Sequence, residues 1–304
     1  MICKHSSSLL AGLAVLLLTS SITIAQEKKE GQPLLDQATE LKLNAKSFDD
    51  LEKVADLCEE AIQKGLDKEN DGFARQLMSA ALFDRASRLC APALTNPPDR
   101  RWPAMRDLAM ADLDRLLKYN PRFGDALVLV ARLQILPGGD RQKAISSAKL
   151  ALEVFADDKE KLAGVYVLRS RLQDDPEKRL ADLDKAIELD PKYARVWNNK
   201  GFTLANLGKY EEAIECYDKA AKLDPKDADT WNNKGVALGK LGKHEEAIEC
   251  YDKAAKLDPK AALSWYNKGV AFRKLGKHEE AIECYDKAIE LDPKDSDTWY
   301  NKGA

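Results

Sequence analysis

A period of 34 residues constrains this chain more than any other feature. Trp197, Trp231, Trp265 and Trp299 fall on it, as do Gly201, Gly235, Gly269 and Gly303. The same step separates Cys216, Cys250 and Cys284, and also Pro191, Pro225, Pro259 and Pro293. Segments 194–227 and 228–261 are identical at 26 of 34 positions. A fixed period of this size means stacked copies of one supersecondary unit, none of which buries its apolar face alone. Within a unit, Trp197, Gly201 and Leu204 are spaced four and three, one face of a first helix. Gly208-Lys209 breaks that helix. Tyr210, Ala213, Tyr217, Ala220 and Leu223 then mark one face of a second helix. Asp224-Pro225 ends it, because a residue before proline is pushed out of the helical region. Two helices with short turns predict an antiparallel hairpin.

Upstream the pattern is worn but readable. Ala186 to Pro191 closes one unit, whose first helix is expected near Lys161 to Gln173. Ala144 and Ala151 fall in the second helix of another, after the turn Pro137-Gly138-Gly139-Asp140. Leu116 to Pro121 ends a third, and Phe48, Leu57 and Ala61 belong to a first hairpin. A proline-rich insert, Ala91 to Pro103, lengthens one inter-helix turn. The reading is about six complete hairpins plus an incomplete last one, an all-α solenoid of stacked antiparallel helix hairpins. Three segments follow: 1–25 a leader, 26–193 degenerate helical repeats, and 194–304 regular repeats.

The motif W-x3-G-x2-L followed by A-x3-Y-x2-A-x4-P resembles the tetratricopeptide repeat family over residues 194–304. Lys200, Lys234, Lys268 and Lys302 depart from it, standing where the family usually carries an apolar residue. Their stems are expected to pack while their heads reach water. The resemblance implies a superhelix whose first helices line a groove that receives peptides or folded partners. At 100° per residue, the first-helix face turned away from the core carries Arg195, Asn199, Phe202 and Asn206. The next unit puts Asp229, Asn233, Val236 and Lys240 there, and the third puts Leu263, Asn267, Val270 and Lys274. These are the candidate partner-binding residues. The asparagines offer a donor and an acceptor to a peptide backbone, and Phe202, Val236 and Val270 offer apolar contact. The competing reading is a duplicated face that meets only water. A carboxylate clamp of the kind some family members build is not supported, because Asn198 and Phe202 stand where its first Lys and Asn would be.

Lys plus Arg is 48 and Asp plus Glu is 51, for a net charge of −3. That balance argues against a general binder of nucleic acid or anionic membranes. No phosphate loop, nucleophile elbow or dinucleotide fingerprint occurs, so neither enzyme activity, a small-molecule substrate nor a cofactor is expected. His244-Glu245-Glu246-Ala247-Ile248 begins like a zinc-protease helix, but Ile248 stands where the second histidine would be needed; His278 repeats the mismatch. Both are expected at helix starts. The cysteine ladder reads as buried, inert thiols, and Arg100-Arg101-Trp102 as a solvated loop beside a helix start. Leu9 to Leu18 is an unbroken apolar run, and Thr23-Ile24-Ala25 precedes charged residues. This pattern predicts an export leader cleaved after Ala25, giving a periplasmic or secreted chain with an odd five cysteines. The sequence stops in mid-unit after Trp299, which points to a fragment and leaves that indole uncovered. The expected function is a scaffold for a protein or peptide partner. The alternative is the non-catalytic arm of an envelope enzyme whose catalytic domain lies beyond residue 304. Self-association through the uncapped last repeat is a further expectation.

Overall fold

The computed structural model describes residues 30–91 and 102–303. The leader, Arg100 and Arg101 lie outside the described residues. Among the described residues there are fifteen helices and no strand. The described residues are all-α, built of helix hairpins packed in series. Contacts divide the chain into two units, residues 1–154 and 155–304.

The first unit holds α1 (Gln32–Asn44), α2 (Phe48–Lys64), α3 (Lys68–Cys90), α4 (Trp102–Tyr119), α5 (Gly124–Gln134) and α6 (Arg141–Val154). They pair as α1/α2, α3/α4 and α5/α6. The start of α2 is fixed by a capping box, in which Ser47 Oγ accepts from Asp50 N while Asp50 accepts from Ser47 N. Phe48, Leu57 and Ala61 all lie on α2. The partner in that hairpin is α1, whose two buried residues, Leu35 and Ala38, give little sequence signal. A charged layer crosses this unit: Arg85 on α3 bridges Glu52 on α2 and Asp112 on α4. Burial pushes the Asp112 carboxyl up to about 6, against the pull of Arg85.

The second unit holds α7 (Lys159–Ser170), α8 (Pro176–Leu189), α9 (Ala194–Asn206), α10 (Tyr210–Leu223), α11 (Ala228–Lys240), α12 (His244–Leu257), α13 (Ala262–Lys274), α14 (His278–Leu291) and α15 (Ser296–Gly303). The pairs are α7/α8, α9/α10, α11/α12 and α13/α14, and α15 packs on α14. The two units together therefore carry seven complete hairpins among the described residues, one more than the sequence reading counted. Degenerate units lack the tryptophan and glycine that mark a first helix.

Each regular hairpin closes in the same way. Gly208, at φ 77°, ends α9 in a left-handed turn. Lys209 N donates to Leu204 O and Gly208 N to Ala205 O, so the last carbonyls of α9 are satisfied. Inside the hairpin the tyrosine of the second helix lies on the glycine of the first. A Cβ at Gly201, Gly235 or Gly269 would stand 2.6–2.7 Å from a ring carbon of Tyr217, Tyr251 or Tyr285. Hence any side chain at these glycines forces the tyrosine aside.

Each core also needs its neighbours. The cluster of α9/α10, built on Leu204, Ala213, Cys216 and Tyr217, includes Ala237 of α11 and receives Leu180 of α8. That of α11/α12 includes Ala271 of α13 and receives Ile214 of α10. Trp299 on α15 is 53% exposed, as the uncovered-indole expectation anticipated.

Gly235→Ala tests this packing. Helix propensity alone would stabilise by roughly 1 kcal/mol. The Tyr251 clash should reverse the sign and leave a net loss of about 1–3 kcal/mol in urea unfolding; a net gain would show that the ring is not held there.

Candidate partner-binding face

The first helices α9, α11 and α13 run alongside one another through the contacts of α9 with α11 and of α11 with α13. Their uncovered face carries the residues singled out above. Phe202 is 51% exposed, Val236 37% and Leu263 59%, while Val270 is half-buried. Arg195, Asn206, Asp229, Lys240 and Lys274 are exposed. Apolar residues at least partly exposed to solvent therefore recur on successive first helices.

The asparagines have a different first task. Asn233 Nδ2 donates to Asn198 Oδ1 at 3.2 Å, and Asn267 Nδ2 donates to Asn232 Oδ1 at 3.1 Å. Each bond joins a first helix to the one before it. Asn301 continues the series by donating to the Tyr266 hydroxyl at 3.2 Å. Asn233 and Asn267 are half-buried accordingly, and Asn199 is half-buried as well. One amide N–H of Asn233 and of Asn267 is thus spent between helices, which leaves the carbonyl oxygen and the second N–H for other contacts. Sequence reasoning missed the acceptors Asn198 and Asn232, although the residue 35 positions earlier was there to be read.

The lysines that depart from the family pattern end on carboxylates at the partly exposed edge of the packing. Lys200, Lys234 and Lys268 pair with Asp184, Asp218 and Asp252 at 2.5–2.6 Å, and Lys302 pairs with Asp286. In each case the aspartate lies 16 residues earlier, on the second helix of the preceding hairpin. The lysine side chains are 15–33% exposed, so their stems do pack as expected. What differs is the destination of the charge: a carboxylate is within reach, and a half-buried ammonium gains more from it than from the little water left. The four aspartates also keep the 34-residue period, which was the available signal.

Tryptophan positions are tied as well. The Trp197, Trp231 and Trp299 indoles donate to the carbonyls of Pro191, Pro225 and Pro293. Lys219 and Lys253 lie 4.3 and 4.2 Å from the ring centroids of Trp197 and Trp231. The five described cysteines are free and buried. Burial pushes the Cys58 and Cys90 thiols up to about 12 and Cys284 up to about 11, and it raises Cys216 and Cys250 too. Such thiols carry little thiolate at neutral pH and are poor nucleophiles. His244 and His278 open α12 and α14. Among the described residues no three metal-ligating side chains cluster, and no helix is long and apolar enough to cross a membrane.

Residues 228–261 and 262–295 match the tetratricopeptide repeat profile, and related profiles of the same repeat match 203–242 and 183–215. Residues 183–295 carry tetratricopeptide repeats. A 43-residue stretch is 54% identical to an uncharacterized protein of Methanocaldococcus jannaschii, covering 14% of this chain and 50% of that protein. The chain thus spans half the length of that curated relative. Among solved structures, YrrB, described as a TPR protein with an unusual peptide-binding site, is 20% identical over 63% of this chain and 98% of its own, with a TM-score of 0.47. MamA is 22% identical over 57% of this chain and 94% of its own, with a TM-score of 0.46. The first TPR of Spaghetti (RPAP3), bound to an HSP90 peptide, is 30% identical over 38% of this chain and 90% of its own, with a TM-score of 0.37.

A double-mutant cycle checks the charge ladder. Lys234→Met and Asp218→Asn should each leave the repeats helical and show a coupling of about 0.5–1 kcal/mol. The coupling should shrink in 1 M salt if the pair is electrostatic; additive effects at low salt would mean that the ammonium gains nothing from Asp218.

Proposed function

We propose that the regular repeats are a docking surface for a protein or peptide partner, engaged through the uncovered face of α9, α11 and α13. The observation that carries this reading is the apolar row Phe202, Val236 and Val270, continued by exposed Leu263. Exposed apolar residues scattered singly need no explanation, but a row repeated along adjacent helices does. It is bordered by polar groups that give direction and specificity: Asn206, Asp229, Lys240, and the unused carbonyls of Asn233 and Asn267. The helices bearing these groups are held by hydrogen bonds and by the lysine–aspartate pairs. The surface is therefore pre-ordered, and a partner pays little to organise it. A scaffold of this kind needs no catalytic group of its own.

The test uses exposed residues, because Asn233 also holds α11 to α9. Phe202→Ser with Val236→Ser should leave unfolding within about 0.5 kcal/mol of the parent and reduce partner capture at least about tenfold, since buried interface anchors are commonly worth more than 1 kcal/mol each. Undiminished capture by a stably folded double variant would remove the docking role from this face.

We propose in addition that the chain is exported. The apolar run Leu9 to Leu18 and the small residue Ala25 support this. Thiols that are buried and little ionised suit an oxidising compartment, because they resist unwanted pairing. The exported chain should begin at Gln26 by N-terminal sequencing; a cytosolic chain that keeps Met1 would overturn this.

A further inference from the structure

Four carboxylates and three cations meet across α2, α3 and α4 in the first unit. Arg85 Nη1 donates to Asp112 Oδ1 and Arg85 Nη2 donates to Glu52 Oε2, both at 2.9 Å. Arg115 pairs with Asp56 and Glu59, and Lys118 reaches Glu59 at 3.7 Å. The Tyr119 hydroxyl donates to Glu59 Oε1 at 2.6 Å. With every acid ionised, this network carries one negative charge more than its cations balance. Water relieves that excess unevenly. The Glu52 and Asp56 side chains are 48% and 60% exposed, so solvent screens them. Asp112 is only 7% exposed and shares its guanidinium with Glu52.

Asp112 is also incompletely bonded. Its Oδ1 accepts from Arg85, but its Oδ2 is buried and meets no donor. Asp182 in the second unit, just as deeply placed, has the complete arrangement: Arg169 donates to both of its oxygens and Gln173 adds a bond at 3.2 Å. An ionised carboxylate with an orphan buried oxygen is costly. A proton on that oxygen removes the cost and leaves the Arg85 bond to Oδ1 in place. The charged and titratable groups that act on Asp112 are Arg85 and Cys90 of α3, Glu52 of α2 and Arg115 on its own helix. The remaining neighbour, α5, carries charge only at its ends, Asp125 in the first turn and Arg132 in the last. Burial outweighs Arg85, and Glu52 adds to the rise.

We propose that Asp112 is a proton switch in the first unit: it takes a proton on Oδ2 in mild acid, and the packing of α4 on α2 and α3 tightens when it does. The folded chain holds this proton up to about pH 6, whereas an unfolded aspartate releases it near 3.8. Between those limits folding takes up a proton, so stability rises as pH falls toward 5 and is lowest at neutral pH. Glu59 works in the opposite sense: against its burial, the Tyr119 hydroxyl and Arg115 hold it below its ordinary value, and its contribution is lost only in stronger acid.

Hydrogen exchange of the full chain, followed by mass spectrometry on peptides from α3 and α4 and corrected for the intrinsic pH dependence of exchange, reads the switch. Opening of α4 should become about tenfold rarer between about pH 7.5 and 5.0, with the change setting in near 6. Both described histidines open helices of the second unit, so these peptides report Asp112 rather than imidazole. Asp112→Asn should make α4 protection independent of pH across the window. Glu52→Gln alters an exposed side chain and keeps the fold; it frees Arg85 for Asp112 and should move the onset to lower pH. Where Asp112→Asn unfolds the unit, the shift in Glu52→Gln decides. Protection of α4 in the parent that stays flat or falls on acidification, an Asp112→Asn chain that keeps the parent's pH dependence, or an onset that Glu52→Gln leaves in place would each overturn the proposal.

Discussion

No hairpin in the regular repeats can bury its own apolar surface, and that constraint organises the second unit. The core of α9/α10 is completed by Ala237 from the hairpin after it and reached by Leu180 from the one before. Ala271 does the same for α11/α12. The residues that complete a neighbour's core are alanines because the helices approach closely, and a larger side chain would hold them apart. Stability is then a sum of local hairpin terms and nearest-neighbour terms, the energetic form of a linear repeat. Within each hairpin a glycine accepts the face of a tyrosine ring, so a large buried aromatic is accommodated without separating the helix axes.

Polar groups follow the same step as the core. A lysine at a family-apolar position would leave a half-buried charge unpaired if its unit stood alone. Stacking supplies an aspartate from the preceding hairpin, and the defect becomes a link between units. The amides of Asn233 and Asn267 add a second link along the first helices. Each link is individually weak, since partly exposed pairs are worth about 1 kcal/mol or less. Repetition makes them matter: they fix how one unit sits on the next and so hold the spacing of Phe202, Val236 and Val270 along the outer face. A face of fixed spacing can read a partner, whereas a flexible one would first have to be ordered.

The period, the helix limits and the core residues were legible in the sequence because each repeats on a short local rule. Trp197, Gly201 and Leu204 share a helix face whatever surrounds them, and a left-handed glycine at Gly208 stops a helix wherever it occurs. The front half was harder to read for the same reason. Hairpin α1/α2 has no repeated tryptophan or proline, and α1 buries only Leu35 and Ala38, so Phe48, Leu57 and Ala61 marked a first hairpin without showing where its first helix lies.

The sequence alone determined that residues 194–303 form helical hairpins of one kind, which helix faces turn inward, and that Asn199, Phe202 and their equivalents face away from the core. Tertiary structure decided where the polar side chains of those faces end. Lys234 meets Asp218, Asn233 meets Asn198, and Arg273 comes to rest beside Tyr285; each meeting joins two helices. Periodicity is a property of one helix at a time, fixed by backbone geometry. Partner choice depends on the distance and angle between helices, which emerge only when the hairpins pack.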